Sequence, residues 1–356
     1  MNLENYMNKA NKSICIIGAF SFKKPDTGGQ PVKTRNLYRL ISEEYGEENV
    51  ICVDTCDWKK HPINMFFSVL KAVKRSNRII MLPAHNGVKV FAPLLLALVG
   101  KSKKKLYYDV IGGWLPLKTA NDPKLAKKLK KFDGIWVETE SMRSKLEEQG
   151  FDNIDVVPNF KFLTPITMEE FPNLSKPYKL CTFSRVMAEK GIEEAIKAVK
   201  SVNEKFGEVI YTLDIYGQID NRYSEHFECL EKEFPAYIKY CGIANPDNSV
   251  DVLKNYFALL FPTYYDGEGF AGTLIDAFAA GVPVVASDWK YNPEIIENSF
   301  NGIMFKTGDN EAFVNMLTQI STNVDWWNSL KINCLKLYEE YSPQEVIKIL
   351  SDRLDG

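Results

Sequence analysis

Short apolar segments that alternate with helical patterns run through most of this 356-residue chain, and they restrict its fold more than any other feature. In the first half, six segments have the apolar character of buried strands, at residues 14–18, 50–53, 78–82, 105–111, 134–138 and 155–157. The segments between them have the apolar periodicity of helices, at residues 34–44, 63–74, 90–99, 124–130 and 140–149. Strands that alternate with helices of this length predict a parallel, doubly wound sheet.

A second series of the same kind follows residues 158–177, a segment with four prolines that predicts an interdomain linker. Its strand patterns lie at residues 179–183, 211–216, 238–240, 258–261 and 284–286, and the chain has a helical character again over residues 310–354. We therefore predict two Rossmann-like domains, residues 1–165 and 166–340, with a helix at 341–356 that crosses back to the first domain. Open α/β sheets bind ligands at the carboxyl ends of their strands, so we expect a donor and an acceptor on the two sides of a cleft.

The composition is typical of a soluble globular protein, with 45% hydrophobic and 25% charged residues. No apolar run reaches about 18 residues, and residues 1–12 lack the apolar core of a secretory signal, so we expect a cytoplasmic protein. The seven cysteines are odd in number and scattered, which is typical of reduced thiols. Cys52 and Cys56 form the only close pair, and the chain has only three histidines, so we expect neither a metal site nor a cofactor.

The formal net charge of −2 hides a basic first half and an acidic second half. Residues 1–165 carry 27 Lys and Arg against 17 Asp and Glu, and the remainder carries 17 against 29. The basic half predicts an anionic partner, with a surface bias without function as the alternative; we expect no nucleic-acid partner. Apolar residues at 65–67 and 91–100 lie beside Lys71, Lys74 and residues 101–105. This pattern is typical of a site for an anionic membrane surface, and equally of core helices with solvated basic ends.

Two carboxylates eight positions apart enclose a loop of small residues in the second half. Glu268 and Asp276 are the two acids, and between them lie Gly269, Phe270, Ala271, Gly272, Thr273 and Leu274. Free backbone N–H groups at the start of a helix form a ready site for a diphosphate, and carboxylates accept hydrogen bonds from sugar hydroxyls. The sequence therefore predicts a site for a nucleotide sugar.

Two cations follow the first strand of the second half. Arg185 lies at the strand end and Lys190 precedes the helix pattern, where both would neutralise a diphosphate leaving group. A solvated pair at the edge of a loop is the alternative. Gly217 and Ile243, which follow later strands of the same half, are further candidates for donor binding, although ordinary turns explain them equally well.

Candidates in the first half follow its strands in the same way. Gly28 and Gly29 precede the first helix and allow close approach of a phosphate or sugar, with a flexible turn as the alternative. Their segment, Asp-Thr-Gly-Gly-Gln at residues 26–30, is not a G-x-G-x-x-G fingerprint, so an oxidoreductase is not expected. His85, Asp109 and Gly112 are candidate residues on the acceptor side, and a purely structural role is the alternative for His85.

Taken together, these residues resemble the family 4 glycosyltransferases, which are retaining enzymes of the GT-B fold. The resemblance is carried by Glu268-x7-Asp276, by Arg185 and Lys190, by the glycine loop, and by residues 137–141 and 156–159. It implies that Glu268 contacts the donor sugar, Asp276 the ribose, and Arg185 and Lys190 the diphosphate. It also implies that backbone groups of residues 270–274 hold phosphate and sugar.

Two departures from the family's pattern affect this expectation. The family usually has Glu where this chain has the shorter Asp276, and it commonly has a His where residues 108–112 contain none. With these departures noted, we predict a metal-independent hexosyltransferase that uses a nucleotide-diphosphate sugar and a glycan or lipid-linked acceptor. Its setting would be cell-envelope or exopolysaccharide synthesis, at the inner face of the membrane.

Two other functions are compatible with the same cleft. A GT-B-like phosphorylase or epimerase is one, although no lysine stands in a context typical of pyridoxal binding. A nucleotide-sugar-binding protein without turnover is the other. The joint presence of Glu268, Arg185 and Lys190 disfavours it, because a degenerate site would have lost one of them.

Overall fold

The computed structural model describes residues 13–22 and 28–355, so the predictions for Asp26 and Thr27 lie outside the described residues. Two compact units are present: unit 1 comprises residues 1–161 and 342–356, and unit 2 comprises residues 162–341. Each unit contains a six-stranded sheet with flanking helices, and all the strand pairs are parallel. The predicted fold class, two doubly wound parallel sheets, is therefore confirmed.

The sheet of unit 1 has the strand order β2-β1-β3-β4-β5-β6. Its strands are β1 (Ile14–Gly18), β2 (Val50–Asp54), β3 (Arg78–Met81), β4 (Lys105–Asp109), β5 (Gly134–Val137) and β6 (Ile154–Val156). All five residues of β1 are buried, because parallel strands in the middle of such a sheet are covered by helices on both faces. The helices are α1 (Gly29–Tyr45), α2 (Pro62–Arg75), α3 (His85–Val99), α4 (Leu115–Asn121), α5 (Pro123–Leu129) and α6 (Glu140–Glu147).

The predicted helix at residues 90–99 begins earlier than expected. Helix α3 starts at His85, so His85 does not end a strand as predicted but begins a helix. Strand β3 ends at Met81, and Pro83 follows with no N–H to extend the ladder. Helix α4 was not predicted.

The sheet of unit 2 has the strand order β12-β11-β10-β7-β8-β9. The strands are β7 (Tyr178–Phe183), β8 (Tyr211–Tyr216), β9 (Ile238–Tyr240), β10 (Ala258–Phe261), β11 (Val284–Ser287) and β12 (Gly302–Phe305). The helices are α7 (Ile192–Phe206), α8 (Ser224–Glu231), α9 (Ser249–Leu253), α10 (Gly272–Ala279), α11 (Asn292–Ile295), α12 (Asn310–Thr322), α13 (Val324–Ser329) and α14 (Lys331–Glu340). The short elements α8, α9, α11 and β12 were not predicted.

The last helix, α15 (Pro343–Asp355), belongs to unit 1 although it follows unit 2 in the chain. It packs against α1, and its buried side chains include Leu350 and Leu354. The hydroxyl of Tyr107 donates a hydrogen bond to the carbonyl of Arg353 at 2.9 Å. The Arg353 guanidinium pairs with Asp155, also at 2.9 Å. Unit 1 is therefore built from two separate stretches of sequence.

Candidate functional site

The strand order of unit 2 reverses between β7 and β10. From β7 the chain proceeds to β8 and β9 on one side, and it then returns to β10, β11 and β12 on the other. Ligands of open α/β sheets bind outside the carboxyl ends of the strands at such a switch point. The loops that follow β7 and β10 carry Arg185, Lys190 and Glu268, so these predicted site residues lie at the switch point of one sheet.

Lys190 and Glu268 form a largely buried ion pair. Lys190 ends a 3₁₀ turn, Ala188–Lys190, and its ammonium lies 2.5 Å from Glu268 Oε2. The two side chains are only 12% and 8% exposed. Glu268 also accepts a hydrogen bond from the hydroxyl of Thr263 at 2.8 Å, and the Lys190 ammonium lies 5.1 Å from the centre of the Tyr265 ring. The structure thus joins a cation and an acid that stand 78 residues apart in the chain.

The two loops approach each other through their backbones. Gly191 has φ 72°, and a Cβ atom there would lie 2.2 Å from the carbonyl oxygen of Pro262. The N–H of Tyr264 donates to the carbonyl of Glu189 at 2.8 Å. Only glycine fits at residue 191, because any side chain would push the loop after β10 away. This close contact places Lys190 within reach of Glu268.

The loop after Glu268 leads into helix α10. Ala271 occupies the N-cap position without a side-chain hydrogen bond, and Gly272 begins the helix. The hydroxyl of Thr273 is buried and has no hydrogen-bond partner among the described residues. Phe270 is buried with its ring edge against Tyr341, at 4.6 Å between centroids, and Leu274 is also buried. The start of α10 therefore offers backbone N–H groups and a hydroxyl that an anion would satisfy.

Asp276 lies one turn further along α10 and is buried. Its Oδ1 accepts a hydrogen bond from the hydroxyl of Ser249 at 2.8 Å, and Ser249 is the first residue of α9. The two acids of the signature therefore have different partners, Thr263 and Lys190 for Glu268, and Ser249 for Asp276. Sequence reasoning missed both hydroxyls; the position of Thr263 just beyond a buried strand is the signal that would have found it.

Arg185 is placed differently from Lys190. Its guanidinium lies 3.7 Å from Asp220, and its side chain is half exposed. Asp220 also accepts hydrogen bonds from Arg222, which lower the pKa of its carboxyl to about 2, so Asp220 is ionised at neutral pH. Arg185 therefore has a stable anionic partner in this structure, and the structure does not pair it with Glu268.

The loop after β11 donates hydrogen bonds to the loop that carries Glu268. The indole N–H of Trp289 donates to the carbonyl of Tyr265 at 2.8 Å. The ammonium of Lys290 donates to the carbonyl of Asp266 and also lies 3.3 Å from its carboxylate. Lys290 itself has a positive φ of 48°, which is uncommon for a residue with a side chain. Sequence reasoning missed both residues, because nothing in the local pattern indicates a contact between these loops.

The remaining candidates for donor binding lie in turns or at the start of a helix. Gly217 has φ 139°, and a Cβ atom there would lie 1.8 Å from the carbonyl oxygen of Ser184, so a close backbone contact requires this glycine. Ile243 follows Gly242 after β9 and is exposed. In unit 1, Gly28 is the N-cap of α1 and Gly29 its first residue, where a Cβ atom would meet nothing within 4 Å.

Asp109 lies in a buried charge cluster of unit 1. The Lys33 ammonium is 3.1 Å from Asp109 and 2.9 Å from Glu138, and it donates to the carbonyl of Val110 at 2.9 Å. Burial raises the pKa of Asp109 to about 6 despite the opposing effect of Lys33. Burial alone would lower the pKa of Lys33, but the two acids outweigh it and raise that pKa. Sequence reasoning found Asp109 but not its partners.

His85 follows strand β3, and Gly112 follows strand β4, which ends at Asp109. His85 has φ 37°, and its ring stacks on Trp114 with 4.5 Å between the centroids. Burial lowers the pKa of His85, and the nearby charge of Lys118 lowers it further, which favours the neutral ring. Gly112 has φ 80°.

Among the described residues, no three His, Cys, Asp or Glu side chains are grouped as a metal ion would require. Nor does this part of the chain contain a helix long and apolar enough to cross a bilayer.

Solved structures share the fold of this chain. The Anabaena protein Alr3699/HepE, solved in complex with UDP, aligns with a TM-score of 0.76 at 13% identity, over 97% of this chain and all of that one. The pneumococcal O-GlcNAc transferase GtfA, in complex with UDP and GlcNAc, aligns with a TM-score of 0.64 at 18% identity, over 82% of this chain and 59% of that one. The fold predicted from the sequence, GT-B, is thereby confirmed.

Sequence comparison finds similarity to known glycosyltransferases, and most of it lies within the second unit. Residues 165–331 match the family model of the glycosyl transferases group 1. The GtfA subunit of the UDP-N-acetylglucosamine–peptide N-acetylglucosaminyltransferase of Streptococcus agalactiae is 33% identical over half of this chain. The amylovoran biosynthesis glycosyltransferase AmsK of Erwinia amylovora is 27% identical over 42% of it. These matches span only 34% and 37% of the two relatives.

Proposed function

We propose that this chain is a retaining, family 4 glycosyltransferase that moves a sugar from a nucleotide-diphosphate donor to a glycan or lipid-linked acceptor. The observation that carries the proposal is the Lys190–Glu268 pair at the switch point of unit 2, beside the uncapped start of α10. Relatives whose names describe sugar transfer, one of them in the synthesis of amylovoran, support a role in cell-envelope or exopolysaccharide synthesis.

The donor would lie over the carboxyl ends of β7 and β10. In this placement Lys190 and Arg185 face the diphosphate, and the N–H groups at the start of α10 and the Thr273 hydroxyl hold its oxygens. Glu268 accepts hydrogen bonds from the sugar, and Asp276 from the ribose. Because the Anabaena neighbour was solved with UDP and the streptococcal relative is named for UDP-N-acetylglucosamine, UDP-sugars are the first donors to test.

The reaction needs a stabilised leaving group and a held acceptor rather than a protein nucleophile. The acceptor oxygen forms a bond to the anomeric carbon on the face that the diphosphate leaves, and the bond from that carbon to the phosphate oxygen breaks. A diphosphate oxygen takes the acceptor proton. Lys190 stabilises the charge that develops on the diphosphate, and Glu268 holds the sugar in position.

Two measurements on the whole protein test this function. Thermal unfolding in the presence of nucleotide sugars identifies the donor, since a ligand at a hundred times its Kd adds about 2.7 kcal/mol to the free energy of unfolding. Release of free nucleoside diphosphate is then measured after acceptor is added. Binding without release would favour a non-catalytic nucleotide-sugar-binding protein.

Activity should persist in excess chelator. The proposed site neutralises the diphosphate with Lys190, Arg185 and backbone N–H groups, so no divalent cation is needed to stabilise the leaving charge. Diphosphate release is compared with and without chelator at equal ionic strength. A complete loss of activity that added metal restores would contradict the proposed chemistry.

Substitutions of Glu268 and Asp276 should show which acid contacts the donor sugar and which contacts the donor nucleotide. Glu268→Gln keeps the shape but loses charge-assisted hydrogen bonds, so turnover should fall while affinity for the free nucleoside diphosphate changes little. Asp276→Ala should weaken nucleotide binding by about 1–3 kcal/mol. Calorimetric titration of the nucleoside diphosphate into both variants measures the difference.

Ser249→Ala is the control for Asp276, because it removes the hydroxyl that donates to the carboxylate and leaves the acid in place. It should cost less nucleotide affinity than Asp276→Ala. The orientation of the donor is reversed if Glu268→Gln loses nucleotide affinity and Asp276→Ala keeps it.

A further inference from the structure

The first two turns of α2 expose large apolar side chains. Ile63 is 70% exposed, Phe67 61% and Phe66 41%, and the two phenylalanine rings contact each other at 5.6 Å between centroids. Later in the helix, Val69, Ala72 and Val73 are buried. The helix therefore packs through its second half, whereas its first half presents apolar groups to solvent.

The stretch of sequence that contains these side chains carries only positive formal charge, and the nearest acid before it, Asp57, pairs with Lys60 at the surface. Residues 58–108 contain eleven Lys and Arg and no Asp or Glu. On α2, Phe67, Lys71 and Lys74 are spaced four and three residues apart, so they follow one another along one face, and all three are exposed. We call Ile63, Phe66, Phe67, Lys71 and Lys74 the α2 surface.

A second group of lysines lies next to the end of α2, and one of them, Lys104, is hydrogen-bonded to it. The ammonium of Lys104 donates to the carbonyls of Val73 and Ser76, at 2.7 and 2.5 Å, and so caps the last turn of the helix. Lys101 and Lys103, in the same short loop, are exposed. The basic end of the α2 surface is therefore extended by cations from the loop that follows α3.

We propose that the α2 surface docks on an anionic bilayer. Its aromatic end enters the boundary between headgroups and acyl chains, and its lysines bind the lipid phosphates. Adjacent large side chains without hydrogen-bonding groups suit acyl chains better than the grooves of a nucleic acid. The inference deepens the proposed function, on whose lipid-linked acceptor it rests for its biological purpose. The docking itself is measured without donor or turnover.

Vesicle sedimentation with the full chain tests the docking. The vesicles are phosphatidylcholine alone or equal parts phosphatidylcholine and phosphatidylglycerol, each in low-salt and high-salt buffer. We expect binding to the anionic vesicles that high salt weakens. Lys71→Gln with Lys74→Gln should lower the partition coefficient about 30-fold, since each cation contributes about fivefold. Phe66→Ser with Phe67→Ser should lower it at least about tenfold.

Matched control changes lie on helix α7 of unit 2, where Lys205 and Phe206 are also exposed. Lys205→Gln with Phe206→Ser should leave vesicle binding within about twofold of the unchanged protein, because a surface outside the bilayer contributes little. Circular dichroism melting confirms that each variant is folded. The proposal is overturned by equal binding to neutral vesicles, by no binding, or by folded α2 variants that bind like the unchanged protein. Binding to duplex DNA or to an acidic protein without binding to vesicles would also overturn it.

Discussion

Turnover should fall by about a hundredfold or more when Lys190 is replaced by alanine, the effect of losing one group that stabilises developing charge. Its ammonium is held at the switch point of unit 2 by Glu268, with the rings of Tyr265 and Phe261 nearby. Few solvent contacts screen it there, so its charge acts strongly on a diphosphate. Diphosphate release under saturating donor and acceptor measures the loss. Arg185→Ala should have a comparable effect if Arg185 leaves Asp220 for the diphosphate.

Loss of structure must be separated from loss of catalysis, because Lys190→Ala leaves the Glu268 carboxylate partly buried without its cation. The double variant Lys190→Ala with Glu268→Gln removes that unpaired charge, so it should regain thermal stability without regaining turnover. Lys197→Ala, an exposed lysine on α7, is the matched control and should keep normal turnover. If folded Lys190→Ala protein turns over at the normal rate, its assignment to the donor diphosphate is wrong.

Lys33→Met should lower the free energy of unfolding of unit 1 by about 3–5 kcal/mol. The change leaves Asp109 and Glu138 buried without the cation that lies within 3.1 Å of both, and breaking such a pair costs more than the pair itself contributes. Lys60→Met is the matched control, because Lys60 pairs with Asp57 at the surface, where such pairs contribute about 0–1 kcal/mol. Urea unfolding measures both variants.

The cost of Lys33→Met should depend on pH. The folded-state pKa of Asp109 is raised to about 6, above its ordinary value of 3.8, so this group makes the protein less stable as pH rises through that window. Without Lys33 the folded state favours the protonated acid still more strongly. We therefore expect the difference in unfolding free energy between Lys33→Met and the unchanged protein to shrink as pH is lowered from 8 to 5. A cost that is independent of pH would contradict the role of Lys33 as the buried counterion.

The sheets could be predicted because their strands are marked by local composition. Buried parallel strands such as β1 and β11 are continuous apolar runs of strand length. The short elements α11 and β12 were missed, and the four residues of α11 give no helical period to recognise. The start of α3 was missed for a related reason, since its first turn, His-Asn-Gly-Val, is typical of a loop.

The candidate site could be predicted only where its residues lie in the loop or the helix that follows a strand. Lys190, Glu268 and Asp276 satisfy this condition, and their roles toward a donor stay predictions. Contacts across the fold could not be predicted: Trp289 reaches the loop of Glu268 from β11, and Lys33 reaches Glu138 across 105 residues. Pairings of this kind depend on the order of strands in the sheet, which no local pattern encodes.

The return of α15 to unit 1 affects how the protein is made. During synthesis unit 2 emerges as one uninterrupted stretch and has all its residues before α15 appears. Unit 1 begins to emerge first, yet its core lacks Leu350 and Leu354 until α15 has left the ribosome. The unit translated first is therefore the last to be completed, and until then a nascent chain would expose the side of α1 that α15 covers.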